Sequence, residues 1–202
     1  VVYLSSFSKI IAPGMRVAWM IAPPGIRQKL VLANESSILS PSNMSQMTIS
    51  TYLDNFDWKK QIEEYRSMYK SRCEAMDSAL RTYMPYCSWN KPKGGFYIWL
   101  KIPEGLNAKS MLPRAITARV AYVSGTAFYD TDEGTDHMRL SFCYPTEERI
   151  TEGIRRLSTV VDDELATVNL FGTARSASDS THDGSGSASN RTHDATNNPT
   201  QG

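Results

Sequence analysis

Apolar residues along the chain alternate between short runs and spaced stripes, a pattern that mixes strands with helices. Val1-Val2-Tyr3-Leu4 is a short apolar run consistent with a buried strand. Val17 to Ala22 is a second run, closed by Pro23-Pro24-Gly25. The spacing then turns helical at Ile26, Leu30 and Ala33, and Met44 to Leu53 predicts another helix after Ser40-Pro41-Ser42. Trp58 to Tyr83 predicts a long amphipathic helix, with Ile62, Tyr65, Met76, Leu80 and Tyr83 near one face and Pro85 ending it.

Beyond Pro85 the period shortens. Ser88-Trp89 and Gly95 to Ile102 predict two antiparallel strands, linked through Asn90-Lys91-Pro92-Lys93-Gly94. A helix near Lys109 to Arg119 follows, with Pro113 tolerated only in its first turn. Val120 to Val123 and His137 to Cys143 predict further short strands. Thr146 suits the N-cap of a last helix, with Glu147 and Glu148 complementing its dipole and Ile150, Ile154, Leu157, Val161 and Leu165 as its apolar stripe. The fold class is α/β without internal repeats. A division near Asn55 separates residues 1–55, expected to keep part of a mostly parallel sheet, from an α+β lobe over residues 56–171. From Gly172 onward no apolar side chain exceeds Ala, so residues 172–202 predict a disordered tail that cannot offset its ordering entropy.

Charge narrows the function. With 22 Lys+Arg against 21 Asp+Glu, the net charge of +1 argues against a nucleic-acid binder built on a general basic surface. No apolar run approaches the roughly 20 residues of a membrane-spanning helix. Cys73, Cys87 and Cys143 cannot all pair with one another and match no metal spacing, which predicts a reducing, cytoplasmic setting and buried thiols rather than nucleophiles. His137, His182 and His193 also lack metal-like partners and are expected to be solvated, so no metal site is expected. Three sequons, at Asn34, Asn43 and Asn190, are discounted without a secretory signal. The chain opens at Val1 with no initiator Met, as if cut through a domain.

The chemistry concentrates in Ser5-Ser6-Phe7-Ser8-Lys9-Ile10-Ile11-Ala12-Pro13-Gly14-Met15-Arg16. Lys9 directly follows a strand, has hydroxyls at Ser8 and Ser6, and precedes Arg16 by seven residues. Pro13-Gly14 can turn the chain back so that Arg16 enters the next strand near Lys9. Ser6, Ser8 and Arg16 could then hold one dianionic group, since a guanidinium grips phosphate through two parallel bonds. Lys9 could reach a reactive carbon beside it, as a partly desolvated amine is nucleophilic near neutral pH. Taken alone, a lysine among serines is an ordinary loop lysine.

This segment resembles the Schiff-base lysine motif of fold-type I pyridoxal-phosphate enzymes in the class I/II aminotransferase superfamily, nearest the aminoadipate, aromatic-amino-acid and kynurenine branch. The resemblance extends over roughly Val1 to Leu165. Gly94-Gly95-Phe96-Tyr97-Ile98-Trp99 is similar to a small-domain strand of that family. Val123-Ser124-Gly125-Thr126-Ala127-Phe128 is similar to its V-P-G-x-x-F, with Ser124 in place of Pro. Met138-Arg139-Leu140-Ser141-Phe142 is similar to its R-L-S-F strand.

The resemblance implies that Lys9 joins pyridoxal phosphate covalently and shuttles a proton between the substrate α-carbon and the cofactor. It implies that Ser6 and Arg16 anchor the phosphate, with Ser8 either joining them or capping a turn. Arg139 would bind the substrate α-carboxylate; out of context it would be a strand arginine paired with a carboxylate. Tyr97, Trp99, Phe128 and Tyr129 are expected to be packing residues, with the Phe128-Tyr129 loop near the substrate. The implied reaction is amino transfer from an amino acid to a 2-oxo acid by a homodimer.

Family members have a much longer region before the lysine. It holds the acidic partner of the pyridine nitrogen, the ring-stacking aromatic and further phosphate donors. The chain is therefore expected to be the C-terminal portion of a longer polypeptide, in preference to a truncated product, with little transaminase activity expected of it alone. Two alternatives stay open: an aminotransferase-like effector domain of a winged-helix transcriptional regulator, and another pyridoxal-phosphate reaction on amino acids.

Overall fold

A computed structural model describes residues 1–131 and 133–179, with residues 171–179 described by their backbone alone. Contacts divide the chain into two compact units. One comprises Val1–Ser78, Pro92–Phe96 and Phe142–Ile150; the other comprises Ala79–Lys91, Tyr97–Ser141 and the chain from Thr151 onward.

The first unit opens with strands β1 (Tyr3–Ser6) and β2 (Ala18–Ile21), which pair antiparallel from Tyr3↔Ile21 to Ser6↔Ala18. The expected parallel-sheet piece is thus a two-stranded antiparallel hairpin among the described residues. A connection of eleven residues that folds back on itself returns the chain beside the strand it left, whereas a parallel neighbour needs a longer crossover. Nor is β1 buried. Tyr3 is 56%, Leu4 68% and Ile21 62% exposed, because no described element covers the hairpin's apolar side chains. Helix α1 (Pro24–Ile38) has no buried residue, and α2 (Asn43–Asn55) buries only Ile49. Ser42 caps α2, its hydroxyl accepting the Ser45 amide at 3.2 Å. Helix α3 (Trp58–Tyr83) has the bounds its periodicity predicts. In this unit it buries Cys73 and Met76, and Tyr69 meets Phe96 edge-on at 4.9 Å.

The second unit is built on a four-stranded antiparallel sheet, β3 (Ser88–Trp89), β4 (Tyr97–Lys101), β5 (Val123–Ser124) and β6 (His137–Ser141), ordered β3-β4-β6-β5. Alternation decides its faces. Ile98 and Leu100 pair with Leu140 and Met138, and all four are buried. Tyr97, Trp99, His137 and Arg139 lie on the opposite face. Helix α4 (Ala108–Thr117) buries Ala108, Met111 and Ala115. Asn107 caps it, its side chain accepting the Lys109 amide at 2.9 Å. Pro113 is not in the first turn: it lies inside the helix. Its ring sits on the exposed side, where the backbone can bend toward water.

Helix α5 (Glu147–Asp179) starts at Thr146, whose hydroxyl accepts the Arg149 amide at 3.5 Å, and in the second unit it buries Ile154, Leu157 and Val161. Its backbone runs past the expected boundary at Gly172, through Ala174 and Ala177, residues that favour helix. Residues 180–202 of the expected tail, with His182, His193 and Asn190, lie outside the described residues. Among the described residues no helix is long and apolar enough to cross a membrane.

Candidate active site

In the first unit the hairpin connection forms a compact loop. The Phe7 amide donates to the Val17 carbonyl at 3.0 Å, extending the β1–β2 ladder by one rung. The Phe7 carbonyl then accepts three amides, from Ile10, Ile11 and Ala12, at 3.2, 2.9 and 3.2 Å. This winds Ser8 to Ile11 into a tight turn with Lys9 exposed upon it. A 3-10 turn, Pro13–Met15, brings the chain back, and Arg16 follows with φ 54 and ψ 37.

The ladder register, carried past Phe7 and Val17, sets Arg16 level with Ser8. A left-handed arginine costs on the order of 1 kcal/mol, and strain of this kind concentrates at functional sites. The Arg16 guanidinium makes one long hydrogen bond, Nη1 donating to the Pro13 carbonyl at 3.4 Å. Among the described residues the side chains of Ser6, Ser8 and Lys9 have no hydrogen bond or ion pair. An amine and two hydroxyls without a hydrogen bond, and a guanidinium with one long bond, therefore lie along one short stretch of chain. The desolvation expected around Lys9 is not supplied here, since the side chain is exposed.

Arg139 belongs to the second unit, in β6 between Trp99 of β4 and Val123 of β5. Its guanidinium carbon lies 4.1 Å from the centre of the Tyr97 ring and 4.8 Å from that of Phe128. Its Nε is buried without a hydrogen-bond acceptor. Among the described residues no carboxylate pairs with it, which removes the ordinary explanation of a half-buried strand arginine.

Beside it, Trp99 stacks on His137 at 5.5 Å, and His137 Nδ1 lies 2.6 Å from an Asp136 carboxylate oxygen. His137 is therefore not simply solvated, as its sequence context suggested. Burial works to raise the Asp136 pKa, but the His137 bond and charge and the Lys101 ammonium outweigh it and hold the carboxyl below its usual range. Elsewhere in the unit, burial, helped by the Asp162 charge, pushes the Cys87 thiol up to about 12, in keeping with an inert thiol.

Residues 1–157 match the family model for class I and II aminotransferases. The chain belongs to that family. Aromatic-amino-acid aminotransferase 1 of Thermococcus litoralis is 40% identical over 166 residues, which cover 82% of this chain and 40% of that protein. The 2-aminoadipate transaminase of Thermus thermophilus is 36% identical over 169 residues, covering 83% and 42%. Among solved structures, the kynurenine aminotransferase of Pyrococcus horikoshii, in complex with PMP, aligns with a TM-score of 0.78 at 44% identity, over 82% of this chain and 41% of that one. This aminotransferase chain thus spans about 40% of the length of the relatives it matches.

Two features around the candidate residues escaped sequence reasoning. The left-handed backbone at Arg16 has no signal in residue identity, since glycine is the residue expected there. The rings over Arg139 were expected to pack, with the Phe128-Tyr129 loop near the substrate, and not to meet the arginine. The alternation that puts Tyr97 and Arg139 on one sheet face could have paired them; Phe128 comes from a turn whose path the alternation does not describe. Ser124, which stands where the family has Pro, holds φ −60 and ψ 142, the φ a proline ring would fix.

Proposed function

We propose that this chain supplies the lysine, the phosphate-gripping and the carboxylate-gripping parts of an aminotransferase that uses pyridoxal phosphate to move an amino group from an amino acid to a 2-oxo acid. The observation that carries this reading is the Lys9 loop. Its amine, two hydroxyls and guanidinium match an aldehyde and a phosphate dianion in chemistry, and no described residue claims any of the four groups through a side-chain ion pair. Arg16 and Ser6 grip the phosphate, joined by Ser8, with the guanidinium giving direction and charge. Bound pyridoxal phosphate supplies an electron sink for the pair left on the substrate α-carbon.

The Lys9 amine would hold the cofactor covalently and, once free, would move the proton taken from the substrate α-carbon. Arg139 holds the α-carboxylate and so fixes which bond at the α-carbon breaks. We assign residues 1–55 to the cofactor-binding domain and 56–171 to the small domain. The working protein is read as a homodimer in the cytoplasm, a setting in keeping with three cysteines that form no disulfide among the described residues.

The test is borohydride reduction of the full-length holoprotein followed by peptide mapping. The label is expected on Lys9 and absent in Lys9→Ala; a label on any other lysine overturns the assignment. Arg139→Ala is expected to raise KM for both substrates while cofactor loading stays intact. Collapse of loading would remove Arg139 from the substrate role.

A further inference from the structure

Arg139 is held in an unusual way. A guanidinium that grips a carboxylate is ordinarily kept in place by hydrogen bonds to neighbouring acceptors, which orient it but also consume its donors. Here the side chain has no acceptor among the described residues, and its Nε–H is buried and unspent. What touches the charge is aromatic carbon: the Tyr97 ring at 4.1 Å and the Phe128 ring at 4.8 Å. Aromatic faces attract a guanidinium through the ring quadrupole without occupying any N–H.

The second ring is itself fixed. Phe128 meets Trp99 edge-on at 5.2 Å, and Trp99 is the cross-strand partner of Arg139. The 3-10 turn Gly125–Phe128 that delivers Phe128 is pinned by close backbone approach: a Cβ on Gly125 would lie 2.3 Å from the Gly134 carbonyl oxygen.

We propose that Tyr97 and Phe128 are positioning residues that orient the Arg139 guanidinium by cation–π contact while leaving its N–H donors free for a carboxylate. The proposal rests on Arg139 being the carboxylate anchor. It explains why two large aromatic side chains stay partly exposed, Tyr97 at 37% and Phe128 at 46%, on the face that carries the arginine. Removal of either ring lets the guanidinium sample other rotamers, and a carboxylate then has to bear the cost of ordering it.

The test measures binding of 2-oxoglutarate alone to the full-length holoprotein by calorimetry, without an amino donor, so no turnover enters. Phe128→Leu and Tyr97→Leu are expected to weaken binding by roughly three- to tenfold, the scale of a partly desolvated cation–π contact, with cofactor loading unchanged. Phe128→Tyr and Tyr97→Phe keep a ring and are expected to bind as the parent does. A ring-retaining variant that loses binding as its Leu counterpart does overturns the proposal. So does a pair of Leu variants that bind normally while Arg139→Ala does not. If Arg139→Ala itself leaves 2-oxoglutarate binding unchanged, the anchor assignment fails, and the proposal fails with it.

Discussion

The Phe7 amide donates to the Val17 carbonyl at 3.0 Å, and that rung sets where the Lys9 loop begins and ends. Nine residues, Ser8 to Arg16, fold back between these two positions, and Arg16, the last of them, holds φ 54. The strained arginine and the exposed lysine are therefore held by one short piece of backbone, before any packing is considered.

Arg16→Ala is expected to weaken binding of pyridoxal phosphate to the full-length protein by roughly ten- to a hundredfold, the range for charge-assisted hydrogen bonds. Unphosphorylated pyridoxal should bind the variant and the parent alike. Equal losses for both ligands would mean that Arg16 shapes the loop rather than grips phosphate. Arg16→Gly separates the two roles further. It should melt no lower than Arg16→Ala, because glycine adopts the left-handed conformation without a steric cost.

Pro113 lies inside α4, where it removes a backbone donor from the helix. An interior proline costs about 3 kcal/mol against alanine, partly offset by roughly 0.4–1 kcal/mol from its stiffening of the unfolded chain. Pro113→Ala is therefore expected to raise stability by about 2 kcal/mol in urea titration. A lower midpoint for the variant would show that the bend made by proline is needed to seat Met111 and Ala115.

The hits and misses of sequence reading divide along physical lines. Helix α3 was legible to the residue because its apolar stripe is long and Pro85 stops it. Both β3–β4 and the Thr146 cap were legible for similar local reasons. Burial of β1 and β2 was not: an apolar run says that a segment would gain by being covered, not that a cover is present. Leu4 and Ile21 are exposed in spite of their composition. The return of the chain through Pro13-Gly14 was legible, and it makes β1 and β2 antiparallel neighbours. Residue identity singled out Lys9, Arg16 and Arg139 as candidates. The backbone conformation of Arg16 and the rings over Arg139 depend on contacts that spacing does not encode.

Asp136 gives stability an acid limb. Burial opposes its charge, but His137 and Lys101 more than compensate and lower its pKa in the folded state. A depressed folded pKa contributes stability above the unfolded value of about 3.9, and that contribution is lost as pH falls through the folded value. Asp136→Asn should therefore be less stable than the parent at pH 7, with the gap closing below about pH 4. The Lys101 and Asp136 side chains are 55% and 31% exposed, so the gap should be about 1 kcal/mol or less. Urea midpoints measured across that range decide the matter, and a gap of constant size would mean that Asp136 acts through packing instead of charge.

The turn that presents Phe128 depends on two glycines for different reasons. Gly134 holds φ +74, where a side chain is strained, and its added Cβ would meet two Tyr129 ring carbons at 2.6 Å. Gly125 needs only room: its Cβ would meet the Gly134 carbonyl oxygen at 2.3 Å and the His137 Cβ at 2.7 Å. Neither the backbone nor a Cβ can rotate away as a long side chain would. Gly125→Ala is thus expected to cost about 1–3 kcal/mol, the usual range for overpacking a tight site. Gly94 is the control, with nothing within 4 Å of an added Cβ, and Gly94→Ala should stay within about 0.5 kcal/mol of the parent. Thermal melts of the two variants side by side test the difference. If Gly125→Ala melts with Gly94→Ala, the approach of Gly125 to Gly134 does not hold this turn, and the contacts of Phe128 with Trp99 and Arg139 are left to place it.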